Sequence, residues 1–425
     1  KFHRIYLKTK QQNHMKKLLR NSILCLLTIA ALTQCKKNTE GSSQLELAEI
    51  PKMVTVESFR AETIGATKPA KVLRTGKIYI YKNFLFINEV RKGIHIFDNS
   101  NPSNPINIAF LKVPGNVDMA VRNDILYADS YVDLLAFDIS SMNHIKEVKR
   151  LKDVFMQFYT KQGTQQYVVT YKDTLVKKSS YHKDLVFLNT ASYGNGSASG
   201  QGGSMARFTL MNDHLYTVGH ADLSLFDTKT PANPSFVKSI NLGWGVETIF
   251  PYENKLFIGT NTGMHIFNAA DAANPVKLST YNHVFACDPV VVQGKYAYVT
   301  LRTGTACRMG SNQLEVVDIE DPTKPKQVAV FPMKNPHGLS VSGNNLFLCE
   351  GDFGIKSFNI TNKNKIGDNM LQHLKDIKSF DVIAGPKSLI VTGKDGVYQF
   401  NYDNASNLRQ LSTIKLQRLI IAGWD

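Results

Sequence analysis

Six polar residues could carry chemistry, because each lies at or just before the start of a short apolar segment that recurs along the chain. They are Asp118, Arg207, Glu247, Asp288, His337 and Asp381. Carboxylates that meet can bind a cation such as calcium or the hydroxyl groups of a sugar, and a carboxylate beside a histidine can transfer protons. The structural alternative is that each carboxylate accepts hydrogen bonds from nearby backbone N–H groups.

Motifs that would identify an enzyme are absent from the sequence. No Gly-x-Ser-x-Gly segment occurs, and the glycine-rich stretch 194–204 lacks the lysine and hydroxyl residue of a phosphate-binding loop. The histidines have no metal-ligand spacing, and there is no Cys-x-x-Cys motif. We therefore predict no catalytic residue, no bound metal and no cofactor. Calcium is the one ion that the carboxylates could accommodate.

The candidate residues owe their spacing to a repeat. Each copy is marked by an apolar residue followed by Asp or Asn at the end of a strand, and then by a polar turn. The marker residues are Asp98, Asp138, Asp227, Asn268, Asp318, Asn359 and Asn401. They recur about every 41 residues with two longer gaps, a period typical of β-propeller blades. We predict an all-β fold, a seven-bladed β-propeller with four antiparallel strands per blade. An eighth blade hidden in the longest gap is the alternative.

The clearest copy of the repeat lies between Phe285 and Asp352. Its strands are predicted at Pro289–Val292, Tyr296–Leu301, Leu314–Ile319 and Gln327–Phe331. The third strand reads LEVVD and resembles the LVIVD repeat of bacterial surface proteins. Similar segments are GKIYIYKNFLFINEV from Gly76, NVDMAVRNDILYADSY from Asn116 and NPHGLSVSGNNLFLCEGD from Asn335.

This resemblance extends from about Gly76 to the C-terminus. More narrowly, the chain is similar to LVIVD-repeat lipoproteins of Bacteroidetes-type bacteria. The resemblance implies a propeller and a place on the cell surface, and it implies no reaction.

The residues before the repeats predict export and lipid attachment. Residues 1–14 precede the first methionine and are interpreted as an upstream translation artefact. Residues 15–34 combine a basic start with a short apolar run, as in a bacterial signal peptide. That run ends in Leu-Thr-Gln-Cys, which resembles a lipobox and predicts lipidation of Cys35, although Gln34 departs from the usual small residue. The alternative is an ordinary signal peptide with a stray cysteine.

The mature chain would then be a tethered propeller. Residues 35–50 are the lipidated cysteine and its tether, and residues 51–425 form the propeller with an insertion at 156–204. Ile50–Pro69 is a candidate for a strand that closes the ring by pairing with the last blade. We expect the protein in the bacterial cell envelope, at the outer membrane or the cell surface, with the membrane as a partner through the lipid anchor.

The charge of the chain does not indicate a nucleic-acid partner. The formal net charge is +15, but residues 1–34 carry seven basic and no acidic residues, so +8 remains after cleavage. The basic residues are scattered, and no RNA- or DNA-binding motif occurs. We predict a protein or glycan ligand and no nucleic acid.

The longest loops are predicted on one face of the propeller. We name the face where the first strand of each blade begins the top face. The loop after each second strand and the connections between blades also lie there. The insertion 156–204 and the long loop 303–312 both fall on it, and binding sites often gather on such loops. Trp244, between blades three and four, is a candidate contact for a sugar ring or a peptide, or else a hydrophobic plug.

Two cysteines are predicted to lie on the same face of the propeller. Cys287 and Cys307 belong to the top face of one blade, so a disulfide between them is predicted in an exported protein. Unpaired cysteines, or a pairing that involves Cys349, are the alternatives.

Three functions are compatible with these observations. The first is a binding, adhesion or protein-interaction module whose top-face loops are the working surface. The second is a lyase or hydrolase that acts on a polysaccharide at an acidic channel mouth, for which Asp288, His337 and Asp381 would have to converge. The third is a structural scaffold of the envelope, for which the top face would lack a pocket and a polar cluster.

Overall fold

The computed structural model describes residues 45–155, 160–162, 165–177, 201–202, 204–283, 289–303 and 311–417. The chain divides into two compact units. The first unit comprises residues 1–48 and 173–182. The second comprises residues 49–172 and 183–425 and contains all the blades.

The first half of the chain contains three blades and the segments that flank them. It begins with β1 (Leu45–Thr55), helix α1 (Val56–Arg60) and β2 (Gly65–Thr67). Blade one is β3 (Ile78–Tyr81), β4 (Phe84–Glu89), β5 (Gly93–Asp98) and β6 (Ile106–Lys112). Blade two is β7 (Met119–Arg122), β8 (Ile125–Ser130), β9 (Asp133–Asp138) and β10 (Lys146–Leu151). The strands β11 (Thr160–Gln162), β12 (Gln165–Lys177) and β13 (Gln201–Gly202) follow. Blade three is β14 (Phe208–Met211), β15 (His214–Val218), β16 (Asp222–Asp227) and β17 (Ser235–Asn241).

The second half contains four further blades. Blade four is β18 (Val246–Tyr252), β19 (Lys255–Thr260), β20 (Gly263–Asn268) and β21 (Val276–Asn282). Blade five is β22 (Val290–Gln293), β23 (Tyr296–Leu301), β24 (Gln313–Asp318) and β25 (Lys326–Pro332). Blade six is β26 (Leu339–Ser342), β27 (Asn345–Cys349), β28 (Ile355–Asn359) and β29 (Met370–Leu374), with a short 3-10 helix at Gly367–Asn369. Blade seven is β30 (Ser379–Ala384), β31 (Leu389–Gly393), β32 (Gly396–Asn401) and β33 (Arg409–Lys415).

Each blade is an antiparallel sheet whose strands pair in chain order from the channel outward. The second strands are buried almost throughout, as in β8, because neighbouring blades cover both faces of the sheet. The outer strands, such as β17, are mostly exposed or half-buried. The prediction of a seven-bladed, all-β propeller is confirmed.

The marker residues of the repeat have a structural role in turns. A side-chain oxygen of six of the seven accepts the backbone N–H two residues further on, at 2.8 to 3.0 Å. The residues that do so are Asp98, Asp138, Asp227, Asn268, Asp318 and Asn359. This local bond reverses the chain after the third strand, which explains why Asp or Asn recurs there.

The ring closes between blades seven and one. The side-chain amides of Asn99 and Gln399 exchange two hydrogen bonds of 3.1 and 2.7 Å. Ile390 of blade seven also belongs to the same buried apolar cluster as Leu85 of blade one. The two blades therefore pack as the other neighbours do.

The expected closing strand is not where the sequence indicated. Gly65–Thr67 (β2) pairs with β6, the outer strand of blade one, so the prediction that Ile50–Pro69 pairs with the last blade is wrong. The physical reason is that β33 already supplies the fourth strand of blade seven. One backbone hydrogen bond, from Gln417 N–H to Val72 C=O at 2.8 Å, joins the segment before blade one to the end of the described chain.

Candidate functional site at the channel mouth and the top face

The chain crosses the channel mouth before it enters blade three. The strand β13 pairs with β3, the innermost strand of blade one. The Ser204 hydroxyl then accepts the Leu339 N–H of blade six at 2.8 Å. The Asp118 carboxylate of blade two accepts the N–H groups of Arg207 and Phe208 at 2.8 and 3.2 Å. Residues 204–207 therefore bridge blades two and six, and we name them the channel bridge.

A buried lysine holds the channel bridge. The Lys77 ammonium donates to the Met205 carbonyl at 3.0 Å and lies 3.7 Å from the Asp118 carboxylate. Lys77 is only 2% exposed, and burial lowers its pKa to about 8, although the charge of Asp118 opposes the shift. The bridge is thus fixed by a buried ion pair as well as by backbone hydrogen bonds.

The carboxylates beside the bridge are held by backbone N–H groups. Asp118 also accepts the Met119 N–H at 2.8 Å, and Asp129 accepts those of Val117 and Asp118 at 2.8 and 2.9 Å. Burial raises the pKa of both carboxyls, that of Asp129 to about 6, and these hydrogen bonds oppose the shift. These backbone hydrogen bonds are the ones expected if the two carboxylates have a structural role.

Asp381 lies on the blade-seven side of the same cluster and is 1% exposed. One carboxyl oxygen accepts the Val382 N–H at 2.9 Å. Burial raises the pKa of Asp381 to about 8, opposed by the Val382 and Ser204 N–H groups and by the charge of Lys77. A Cβ atom at Gly338 would lie 2.1 Å from the Asp381 carboxyl oxygen, so only glycine fits there.

Glu247 and His337 lie at the mouth on the side of blades four to six. Glu247 is half-buried in β18, and its charge raises the pKa of Arg302, which burial lowers more strongly. Burial and the charge of Arg302 lower the pKa of His337 to about 3, so its imidazole is neutral. The His337 ring packs edge-on against Phe380 at 5.4 Å. Because Lys77, Arg207 and Arg302 oppose the carboxylates, the mouth is less acidic than the sequence indicated.

Several predicted residues lie outside the described part of the chain. The predictions that concern Cys35, Asp288, Cys287 and Cys307 stay predictions. Cys349 is a free, buried thiol whose pKa is raised well above its usual value by burial.

Two charged residues of the cluster escaped the sequence reasoning. Lys77 stands directly before β3, the repeat position that Asp118 holds before β7 and Arg207 before β14. The position alone could have identified it, since Arg207, another basic residue, holds the same position before β14. Asp129 lies in the second strand of blade two, where nothing in the repeat distinguishes it.

Part of the top face is covered by α1. Val56 and Phe59 of this helix are each 1% exposed and pack with Val132 and Val168. The Arg60 guanidinium donates two hydrogen bonds, of 2.9 and 2.5 Å, to the fully buried Asp133 carboxylate. The top of blade two is therefore closed by an apolar contact and an ion pair.

Trp244 shows the opposite situation in the connection between blades three and four. Its side chain is 83% exposed, and its ring stacks on His220 with 6.3 Å between centroids and 16° between planes. Burial lowers the pKa of His220 to about 4, so the ring is neutral. Gly243 and Gly245 flank the tryptophan with φ of +83° and +95°, values that favour glycine. The Gly245 N–H bonds the His220 carbonyl at 3.0 Å, which fixes the loop.

No metal centre or membrane helix is found in the part of the chain that the structure describes. Within those residues, no group of three or more His, Cys, Asp or Glu side chains is arranged to hold a metal ion. The same residues contain no helix that is both long and apolar enough to cross a bilayer.

Comparisons with known proteins agree with the fold. A protein from Lactobacillus plantarum is 11% identical, with a TM-score of 0.51 over 84% of this chain and 97% of that chain. Sqt1 from Saccharomyces cerevisiae is 8% identical, with a TM-score of 0.50 over 83% of this chain and 89% of that chain. At these identities the likeness shows the fold alone. No curated protein matches the chain.

The family comparison identifies the repeat itself. A family model described as the LVIVD repeat matches residues 74–109 and 286–331. These segments cover the first three strands of blade one and most of blade five. The chain is therefore a seven-bladed β-propeller that carries LVIVD repeats.

Proposed function

We propose that this protein is a lipid-anchored component of the bacterial cell envelope that binds a partner through its top face. Three sequence features support the location: the signal-like segment 15–34, the lipobox-like Cys35, and the resemblance to LVIVD-repeat lipoproteins of Bacteroidetes-type bacteria. The partner is a protein or a glycan of the envelope.

The observation that carries the binding role is the exposure of Trp244. A tryptophan that is 83% exposed leaves a large apolar area in water, and aromatic side chains are enriched at binding sites. The loop around it is fixed by backbone hydrogen bonds from Gly245 and Val246 to His220 at 3.0 and 3.1 Å. A fixed aromatic side chain loses little conformational entropy when it binds.

The channel mouth offers less to a polysaccharide-active enzyme. Asp118 and Asp381 are 2% and 1% exposed, and Asp118 is bonded to the channel bridge. A catalytic acid must reach its substrate within hydrogen-bond distance. While residues 204–207 stay in place, no polysaccharide reaches these two carboxyls, so their structural role is favoured.

The anchor is tested by metabolic labelling with an alkyne fatty acid in an expressing bacterium. We expect the wild-type chain to be labelled and to fractionate with membranes, and Cys35→Ser to be unlabelled and soluble. A soluble, unlabelled wild-type chain would contradict the anchor and leave the binding role open.

The binding role is tested with the purified mature chain carrying Cys35→Ser and isolated envelope membranes. We expect the chain to sediment with the membranes and Trp244→Ala to reduce the sedimented fraction at least fivefold. Val276→Ala is the matched control, because Val276 is 62% exposed at the start of the outer strand β21. Equal sedimentation of both variants would remove Trp244 from the binding surface.

A further inference from the structure

A cleft lies where the ring closes, on the face opposite the top face. We name this face, which holds the turns after the first and third strands of each blade, the bottom face. The cleft is lined by residues from the segments 80–84 of blade one and 385–390 of blade seven and by Asn99. Its volume is about 250 Å³, including the part that is open to solvent. All the lining residues belong to the described chain, and we name this site the seam cleft.

The floor of the seam cleft is apolar. Ile80 of blade one and Ile390 of blade seven are 8% and 1% exposed and belong to one buried cluster. Phe84 is half-buried beside them. A Cβ atom at Gly385 would lie 2.6 Å from Ile80 Cδ1, so a glycine there lets the two blades approach closely. An apolar group that enters the cleft would therefore leave water for an apolar surface.

Lys387 places a positive charge at the edge of this floor. Its ammonium donates to Asn83 Oδ1 at 2.8 Å and to the Ser100 carbonyl at 3.1 Å. Both acceptors are uncharged, and among the described residues no carboxylate pairs with Lys387. An ammonium has three N–H donors. The two hydrogen bonds therefore fix the position of the charge and leave one donor for a ligand.

The hydrogen-bond acceptors around the cleft are already used, whereas donors remain. The Asn99 and Gln399 side chains bond each other, and the Ser388 hydroxyl donates to Gln399 at 2.7 Å. The Asn83 carbonyl accepts the Asn99 N–H at 2.7 Å. Within the described residues, the side-chain nitrogen of Asn83 donates no hydrogen bond. The remaining polar hydrogens, on Asn83 and Lys387, favour a ligand that accepts hydrogen bonds and carries negative charge.

The other charged groups at the cleft are bonded elsewhere. Lys82 also lines it, and its ammonium bonds both carboxylate oxygens of Asp124 at 2.6 and 2.9 Å. The Asp98 carboxylate accepts the Ser100 N–H at 2.9 Å. Hydrogen bonds from Ser100 lower the pKa of Asp98, and the charge of Lys387 lowers it further. Asp98 and Asp124 therefore have their own partners, and neither neutralises Lys387 by direct contact.

We propose that the seam cleft binds a carboxylate on a short apolar stem. Lys387 and the Asn83 amide would donate to the carboxylate, and the stem would lie on Ile80 and Ile390. A small organic acid and a glutamate side chain of a partner polypeptide carry the same group. The proposal concerns the bottom face and depends neither on the proposed anchor nor on the top-face binding role. Because one wall belongs to the first blade and the other to the last, a bound acid would also stabilise the closed ring.

The two isoleucines of the floor are the reporters for the test. The mature chain with Cys35→Ser is labelled at its isoleucine δ1 methyl groups and titrated with sodium butyrate in an NMR experiment, against sodium chloride at equal ionic strength. Ile80→Val and Ile390→Val assign the two signals. We expect both signals to shift saturably, with a dissociation constant in the millimolar range. The uncharged analogue n-butanol should bind about tenfold more weakly, because it lacks the charge-assisted hydrogen bond.

Three variants test the role of the charge. Lys387→Gln should weaken butyrate binding about tenfold. Asn83→Asp should weaken it by a similar factor, because it offers Lys387 a carboxylate partner within the chain while the side chain keeps its size. Lys295→Gln is the matched control and should bind as wild type, since Lys295 follows the first strand of blade five on the same face and is 46% exposed. Circular dichroism checks that each variant is folded.

Two capped peptides, AEA and AQA in one-letter code, distinguish the possible sources of the carboxylate. Tighter binding of AEA than of butyrate, with AQA inactive, would assign the cleft to an acidic partner polypeptide, and binding of butyrate alone would assign it to a small acid. No saturable shift with butyrate or AEA, equal affinity for butyrate and n-butanol, or unchanged affinity in Lys387→Gln would overturn the proposal. Membrane sedimentation that depends on Trp244 is measured separately, so the two proposals can fail independently.

Discussion

Blades two and three carry an aspartate as the first residue of the third strand, at the top face, but the surroundings of the two residues differ. In blade two, α1 buries Phe59 against the blade and pairs Arg60 with Asp133. In blade three, Asp222 holds the position of Asp133, and Trp244 is 83% exposed. The strands of the two blades are therefore similar, while the segments outside the strands place different side chains on the top face.

The largest difference should appear when the cover of blade two loses its apolar contact. Phe59→Ala removes a side chain that is 1% exposed, so we expect the free energy of unfolding to fall by about 3–5 kcal/mol. Urea denaturation measures this change, and hydrogen exchange of α1 shows whether the helix opens locally before the propeller unfolds. A loss below about 1 kcal/mol with unchanged exchange would show that α1 does not close blade two.

The ion pair of blade two should be next in size. Asp133→Asn leaves Arg60 and Arg150 without a buried counter-charge, and we expect a loss of about 3 kcal/mol. Asp222→Asn is the equivalent change in blade three and should alter stability by no more than about 0.5 kcal/mol. Both are measured by urea denaturation. Equal losses would contradict the difference between the two blades, because they would mean that Asp222 also has a buried cationic partner.

The ring of blades could be predicted from the sequence because it depends on local signals. Asp or Asn at the marker position forms a side-chain hydrogen bond within its own turn, for example from Ser100 N–H to Asp98 at 2.9 Å. Such bonds depend only on neighbouring residues, so their spacing reveals the period. The position of β2 could not be predicted, because three residues carry too little pattern to choose between two exposed strand edges.

The channel mouth could be predicted only in part. The repeat places Asp118, Arg207 and Asp381 near one another, but it does not show that residues 204–207 cross between them. That crossing depends on contacts between residues far apart in the chain, such as Lys77 with Met205. Trp244 was a candidate from its position in a blade connection. Its stacking on His220 could be seen only in the structure.

A pH series tests whether the Asp381 carboxyl at the channel mouth makes the stability of the protein depend on pH. The pKa of Asp381 is about 8 in the folded chain, above its ordinary value, so the folded state keeps a proton that the unfolded state releases. Stability should therefore fall as the pH rises from about 4 to about 8, and Asp381→Asn should avoid most of that loss.

The buried lysine acts in the opposite direction at higher pH. The pKa of Lys77 is lowered to about 8, so its contribution to stability rises as the pH passes from about 8 towards its ordinary value. Urea denaturation from pH 5 to 9 resolves the two effects. Asp352→Asn is the control, since this carboxylate is largely exposed. Parallel curves for wild type and Asp381→Asn would show that Asp381 does not keep its proton.

The rigidity of the loop that carries Trp244 is tested at Gly245. This residue has φ of +95°, and a Cβ atom there would lie 2.1 Å from the Asn261 side chain. We expect Gly245→Ala to cost about 1–2 kcal/mol and to broaden the NMR signal of the Trp244 indole N–H, because the loop must move. Gly243→Ala is the matched control, because it has φ of +83° but open space around the added Cβ. Equal effects would attribute the cost to φ alone.

The smallest effect should be the one that best distinguishes a binding residue from a structural one. Trp244→Ala removes a side chain that is 83% exposed, so the free energy of unfolding should change by no more than about 0.5 kcal/mol. The loss in free energy of unfolding caused by Phe59→Ala, which truncates a buried aromatic residue of α1, is the value for comparison. A loss near that of Phe59 would mean that Trp244 packs like a core residue and would remove the contrast between the two blades. A near-zero loss would show that folding does not need Trp244, as the proposed binding role requires.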